Sequence, residues 1–199
     1  MQAPGSGDAL LVVDVQNDFL PGGALGIADG DAIVAPLNAL LTAWRTHGLP
    51  VFMSRCWHPP GHCSFTERGG PWPVHCIAGT YGAEFSSSLS RSSTDVVISK
   101  ATHVDRDAYS ALDGTGLDTQ LRNRGIRRIF VGGLATDYCV RSTGLDAREA
   151  GLEVVVLTDA VCGVNVEPGD DARALAELTA AGASFATTGE IVDQLGATR

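Results

Sequence analysis

The stretch Arg128-Ile129-Phe130-Val131-Gly132-Gly133-Leu134-Ala135-Thr136-Asp137-Tyr138-Cys139 changes its period partway along. Arg128 to Val131 is a short apolar run, the pattern of a strand buried on both faces. Gly132 and Gly133 are expected to break it. From Thr136 to Ala150 the residues read as a helix, which Gly151 closes. A buried strand that hands over directly to a helix is the repeating joint of a parallel α/β fold.

The same joint recurs on both sides. Ala9 to Val13, Val51 to Ser54, Asp95 to Ser99 and Glu153 to Leu157 read as further strands, with Ala183 to Ala186 as a short sixth. Between them, Ile33, Leu37, Leu40, Leu41 and Trp44 fall at helical spacing within Asp31 to His47, before the stop at Gly48. Leu117 to Arg124 and Asp170 to Ala181 are helical as well. This alternation predicts a doubly wound, mainly parallel six-stranded sheet with helices on both faces. The chain shows no internal repeat or linker, so a single domain over 1–199 is expected. Pro59 to Gly82 is the longest irregular segment, and Trp72, Cys63 and Cys76 with its other apolar residues make it too apolar for a disordered linker.

Composition excludes several functions. A net charge of −9 argues against nucleic-acid binding, which needs clustered Lys and Arg on phosphates. No apolar stretch is long enough to span a membrane. Met1 to Asp8 lacks a basic region, so no secretory signal is expected. Five cysteines is an odd number in a core-rich chain, which favours a reducing cytoplasm over a disulfide framework. Whether the chain forms a homo-oligomer is left open.

In open parallel sheets, ligands bind beyond the carboxyl ends of the strands. Asp14 follows the first strand, Cys56 and His58 the second, Lys100 the third, and Cys139 opens the helix after the fourth. Four separate stretches thus bring an acid, a base, metal-capable groups and a thiol to one edge. A helix N-terminus with a nearby cation can lower a thiol pKa from about 8.5 to roughly 3.5–7.5. The unpaired N–H groups of that first turn can also receive an oxyanion. The competing reading of Cys139 is a small buried residue packing helix on sheet.

Asp14-Val15-Gln16-Asn17-Asp18-Phe19 with Gly22-Gly23 resembles the opening motif of the isochorismatase-like cysteine hydrolases. Trp57-His58-Pro59, Ser64-Phe65 and Trp72-Pro73-Val74-His75-Cys76 resemble the metal segment of their nicotinamidase branch. Lys100 with Asp107-Ala108-Tyr109-Ser110, and Gly132 to Val140, match its lysine and nucleophile segments. The similarity runs in order from about Leu10 to Gly163. It implies a triad of Asp14 as base, Lys100 as fixed positive charge and Cys139 as nucleophile. It implies an oxyanion hole at the N–H groups of Ala135 and Cys139, with a cis peptide between Leu134 and Ala135. Phe19, Trp72, Tyr109 and Tyr138 would contact the substrate, a small-molecule aromatic amide such as nicotinamide or pyrazinamide, as in NAD salvage.

The resemblance also implies a divalent metal and no organic cofactor. Its ligands would be Cys56, His58 and His75, with Glu67 or His62 as a further donor. Cys56 stands where the family typically has aspartate. Cysteine with two histidines would favour zinc; alternatively the site has weakened and Cys56 is a small residue beside Cys63 or Cys76. That departure puts the substrate in question more than the chemistry. The leading expectation is nicotinamide deamidation through a thioester. The competing readings are a relative acting on another amide or lactam, as in a streptothricin hydrolase, and an idle binding module on the same fold.

Overall fold

The computed structural model describes residues 1–197, so the last two positions of the expected 1–199 domain lie outside it. Six strands, β1 (Asp8–Val13), β2 (Val51–Cys56), β3 (Val96–Lys100), β4 (Arg128–Leu134), β5 (Glu153–Cys162) and β6 (Ser184–Ala186), form one sheet. Their order is β3-β2-β1-β4-β5-β6, and every pairing is parallel. The chain starts in the middle, winds outward one way, then returns and winds outward the other way. The strand order therefore reverses between β1 and β4, and a crevice opens there at the carboxyl ends.

Two apolar cores sandwich the sheet. On one face α1 (Val34–Thr46) and α5 (Thr188–Gly196) bury Leu37, Leu41, Trp44, Ile191 and Leu195 against Leu10, Val12 and Phe130. On the other, α2 (Leu117–Asn123), α3 (Arg141–Glu149) and α4 (Asp170–Ala180) bury Leu121, Ala147 and Leu178 against Leu11, Val13 and Val131. Successive residues of β1 thus feed opposite cores, as the two-residue repeat of a strand requires. Each fully buried apolar side chain of this kind contributes about 1.5–3 kcal/mol. Among the described residues no helix is long and apolar enough to cross a membrane.

Three local readings change. Gly132 and Gly133 do not end β4, which continues to Leu134. Close neighbours require them: a Cβ on Gly132 would press on the Leu37 side chain and the Ala160 carbonyl, and Gly133 lies against the backbone of β1. Gly133 has φ +126°, and a Cβ on it would overlap the Val13 carbonyl oxygen. Gly133→Ala is therefore expected to cost about 3 kcal/mol, the upper range for overpacking, measured by urea denaturation. An unchanged midpoint would mean that the β1–β4 approach tolerates a side chain. Second, the register between β4 and β5 shifts between Val131 and Gly133, so β5 continues past Leu157 to Cys162. Third, Thr187 caps α5 through a reciprocal pair with Glu190, a Thr-x-x-Glu signal that marks a helix the sequence reading left out.

Candidate active site

Asp14, Lys100 and Cys139 meet at the β1–β4 crevice. Asp14 turns out of β1 in the left-handed region at φ +50°, which aims its carboxylate across the strand ends. It is fully buried. Ser54 donates its hydroxyl to Oδ1 at 2.7 Å, and Lys100 Nζ lies 3.0 Å from Oδ2. Lys100 reaches the same point from the end of β3, also fully buried. Its ammonium contacts Cys56 Sγ at 3.0 Å, Cys139 Sγ at 3.3 Å and the Ala108 carbonyl oxygen at 3.2 Å. One cation thus serves a carboxylate, two sulfurs and a carbonyl.

Cys139 does not sit in an ordinary α-helix. Thr136–Val140 forms a single π turn, with Val140 N–H donating to the Ala135 carbonyl at 3.0 Å, and the α-helix begins only at Arg141. Cys139 is buried at this turn, beside Lys100. The Leu134–Ala135 peptide is cis.

The motif opening at Asp14 does more than supply an acid. Gln16, fully buried, donates Nε2 to the Cys56 and Ala83 carbonyls at 2.8 and 2.9 Å, and its Oε1 accepts from the Cys56 N–H at 2.7 Å. Asp18 accepts from the Cys76 N–H at 2.6 Å, which ties the long loop to the same segment. Asp137 accepts from the N–H groups of Val164 and Asn165 at 2.9 and 2.7 Å, fixing the loop after β5. These positioning roles were not readable from the motif, because each acts on backbone far away in sequence.

A cavity opens onto Cys139. Phe19, Trp72, Tyr109 and Tyr138 all line it, with Cys56, His58, His75 and Ala135. Trp72 Nε1 donates to the Tyr109 hydroxyl at 2.9 Å, and its ring meets Tyr138 edge-on at 4.9 Å. The sequence reading did not single out Leu25, Ile27 or Val164, which also line the wall. Apolar wall residues carry no signal of their own outside a fold.

Electrostatics assign the protons. Burial pushes Asp14 up to about 6, against the pull of Lys100 in the opposite direction. Burial alone would lower Lys100, but Asp14 and the two sulfurs hold it well above the ordinary lysine range. The Cys139 thiol is held well above its ordinary value, first by the hydrogen bond with Cys56 and then by burial. The expected depression by a helix N-terminus is therefore absent at rest. Cys139 carries its proton and needs a base.

Of the predicted metal ligands, His58 and His75 face each other with ring centroids 4.7 Å apart at 78°. His58 Nδ1 lies 3.0 Å from the His75 carbonyl oxygen, and His75 Nδ1 lies 2.8 Å from that of Pro73. A ring nitrogen against a carbonyl carries the proton, so Nε2 of His75 keeps its lone pair, the arrangement of a ligating histidine. At His58 burial works against the charged ring, but the hydrogen bond with Cys56, the charge of that sulfur and the His75 carbonyl together outweigh it and raise its pKa. Burial lowers His75, which favours the neutral ring. These two residues suit a divalent cation. Cys56 sits beside them, yet its sulfur turns toward Lys100. Among the described residues, potential ligand atoms gather within 4.8 Å of one another in two groups: Asp14, Cys56 and Cys139, and His58, His62 and Asp107. The second group is a poor cage. His62 stacks on His58 at 26°, so their in-plane lone pairs do not converge, and its nitrogens already face Ser64 Oγ and the Arg106 carbonyl. Glu67 is exposed and is not part of the cavity wall.

Residues 8–190 match the Isochorismatase domain family. The chain is 39% identical over 200 residues to the nicotinamidase of Escherichia coli (strain K12), covering 90% of this chain and 94% of that protein. Its structure is similar to that of a pyrazinamidase of Pyrococcus horikoshii in complex with zinc, with TM-score 0.87, 45% identity and coverage of 91% of this chain and 99% of the other. It is also similar to PnC1 from L. infantum in complex with nicotinate, with TM-score 0.86, 35% identity and coverage of 95% and 96%. With the family match over residues 8–190 and the fold and nearly the whole length in agreement, this chain belongs to the isochorismatase family.

Proposed function

We propose that this chain is a cysteine amidase that hydrolyses nicotinamide, and pyrazinamide with it, to the acid and ammonia. The observation that carries the reading is the buried meeting of Asp14, Lys100 and Cys139 under an aromatic cavity. Asp14, ionised above about pH 6, takes the Cys139 proton. The sulfur attacks the amide carbon, and Lys100 stabilises the thiolate as it forms. The oxyanion is received by the N–H groups of Ala135 and Cys139, each such donor contributing about 2.7–4 kcal/mol. Asp14 then returns the proton to the departing ammonia. The resulting thioester is hydrolysed by water, for which Asp14 is again the base.

Phe19, Trp72, Tyr109 and Tyr138 suit a flat heteroaromatic ring. The ring nitrogen of such a substrate would point toward His58 and His75. When bound there, a divalent cation supplies a Lewis-acidic anchor for that nitrogen, and with Cys56 as third donor zinc is the favoured ion. The nicotinate in the L. infantum structure and the zinc in the Pyrococcus structure support both assignments by analogy. We place the reaction in the cytoplasm, where the five thiols stay reduced.

The test is ammonia release from nicotinamide, pyrazinamide and a panel of aliphatic amides and lactams, with the metal content of the same preparation. Preference for the two aromatic amides and about one equivalent of zinc, lost in His58→Ala and His75→Ala, is expected. Equal rates on the aliphatic panel would reassign the substrate. The pH profile follows from the base. Below about pH 6, kcat/KM should fall about tenfold per unit as Asp14 protonates. A profile flat to pH 4.5 would remove Asp14 from that role.

A further inference from the structure

The amidase chemistry uses Cys56 at most as a metal donor, which leaves the contact of its sulfur with Lys100 unexplained. Its sulfur lies 3.0 Å from the same ammonium that Cys139 contacts at 3.3 Å. The two sulfurs and the Asp14 carboxylate lie within 4.8 Å of one another. Both cysteines line the cavity, so a small solute that enters reaches both. The other thiols are placed differently. Cys76 is buried against the Gly82 carbonyl, where burial pushes its thiol far up, and Cys162 faces the Ala28 carbonyl at 3.4 Å.

We propose that Cys56 and Cys139 form a reversible disulfide when the cavity admits hydrogen peroxide, with Cys56 as the resolving thiol. In the first step the Cys139 sulfur, deprotonated by Asp14, attacks one peroxide oxygen. The S–O bond forms, the O–O bond breaks, and the departing hydroxide takes up a proton to leave as water. Cys139 is then a sulfenic acid, oxidised by two electrons. In the second step the Cys56 sulfur attacks Cys139, the S–S bond forms and the S–O bond breaks. The hydroxide leaves with the Cys56 proton as a second water. Two thiols and one peroxide thus give one disulfide and two waters, and an external dithiol reverses the change.

Lys100 is suited to this chemistry, because one buried cation stabilises whichever sulfur carries the negative charge. The step from neighbouring thiols to a disulfide requires a rotamer change of one side chain. The backbone of Cys56 is held at both its N–H and carbonyl by Gln16, which leaves the thiol as the moving part. Without a resolving partner, a nucleophilic cysteine oxidises further to the sulfinic acid, which dithiols do not restore. The consequence for this chain is protection of its nucleophile.

The experiment is peroxide titration of the purified protein, followed by alkylation, trypsin digestion and mass spectrometry. Cleavage after Arg55, Arg68, Arg128 and Arg141 gives one peptide with Cys56 and Cys63 and another with Cys139. The expected product is these two joined, about 2 Da lighter than their sum, with fragmentation assigning Cys56 rather than Cys63. Activity should fall about tenfold or more and return with dithiothreitol. Cys56→Ser should lose the cross-link and gain dithiol-resistant sulfinic acid at Cys139; Cys63→Ser should behave as the parent. A cation on Cys56 would shield its sulfur, so the titration is run before and after dialysis against a chelator. A cross-link in either arm supports the proposal. Sulfinic acid at Cys139 with no cross-link in both arms overturns it. The activity arm rests on Cys139 as the amidase nucleophile, whereas the covalent arm does not, so the two ideas fail separately.

Discussion

Cys139→Ala is expected to lower nicotinamide hydrolysis by about 10⁵-fold or more, the scale on which removal of a covalent nucleophile acts. The π turn places this buried sulfur in the cavity wall, in contact with Lys100, which in turn pairs with Asp14. No other group in the cavity has both a base and the N–H groups of that turn at its side. Cys139→Ser should be nearly as inactive. A hydroxyl is far less acidic than a thiol, and a carboxylate near pH 6 is too weak a base to activate it. The variant should fold, because the change removes one buried sulfur and no packing partner of comparable size. Ammonia release under single-turnover conditions, with a denaturation curve alongside, measures both. The neighbouring Cys56 provides the sharpest challenge. Activity above about 1% of the parent in Cys139→Ala, abolished in the double variant with Cys56→Ala, would transfer the nucleophile's role to Cys56.

Strand position placed Asp14, Lys100 and Cys139 at one sheet edge, because each ends a buried strand or closely follows one; that they form a triad came from the family resemblance. Parallel strands bring their carboxyl ends to one edge, so sequence position alone gave spatial proximity. The sheet and its two helical faces were legible for a similar reason, since long apolar runs and helical spacing survive any uncertainty about boundaries. What depended on a single contact was not legible. Gly132 and Gly133 read as a strand break, because a glycine required by a neighbouring backbone looks the same in sequence as one that ends an element. The direction of Cys56 is set by an ammonium 44 positions away, and no local pattern reports it. The long loop after β2 was recognised as functional by its length, but its shape depends on Asp18 and Gln16 bonding to distant backbone.

Lys100→Met is expected to abolish activity and to destabilise the fold by about 3–5 kcal/mol, the cost of leaving one member of a buried ion pair alone. Methionine matches the length of the lysine stem and fills the space, so loss of packing contributes little. What is lost is the charge. Asp14 is fully buried, and in the parent its ionised form already stands against burial, which holds it at about 6 compared with 3.8 for a free carboxyl. Without Lys100 the opposing pull disappears and the folded-state value rises further. The sign of the pH dependence follows. A carboxyl whose folded pKa is raised binds its proton more tightly in the native state than in the unfolded one, so its burden on stability is absent below the unfolded value. That burden grows as pH climbs through the interval between the two. In Lys100→Met the interval is wider, so the stability difference from the parent should be small near pH 4.5 and large near pH 8. Urea denaturation at both pH values measures it. A penalty that is equal at the two, or below about 1 kcal/mol at pH 8, would mean that water reaches Asp14 and that the ammonium is not what keeps this carboxylate ionised in the crevice.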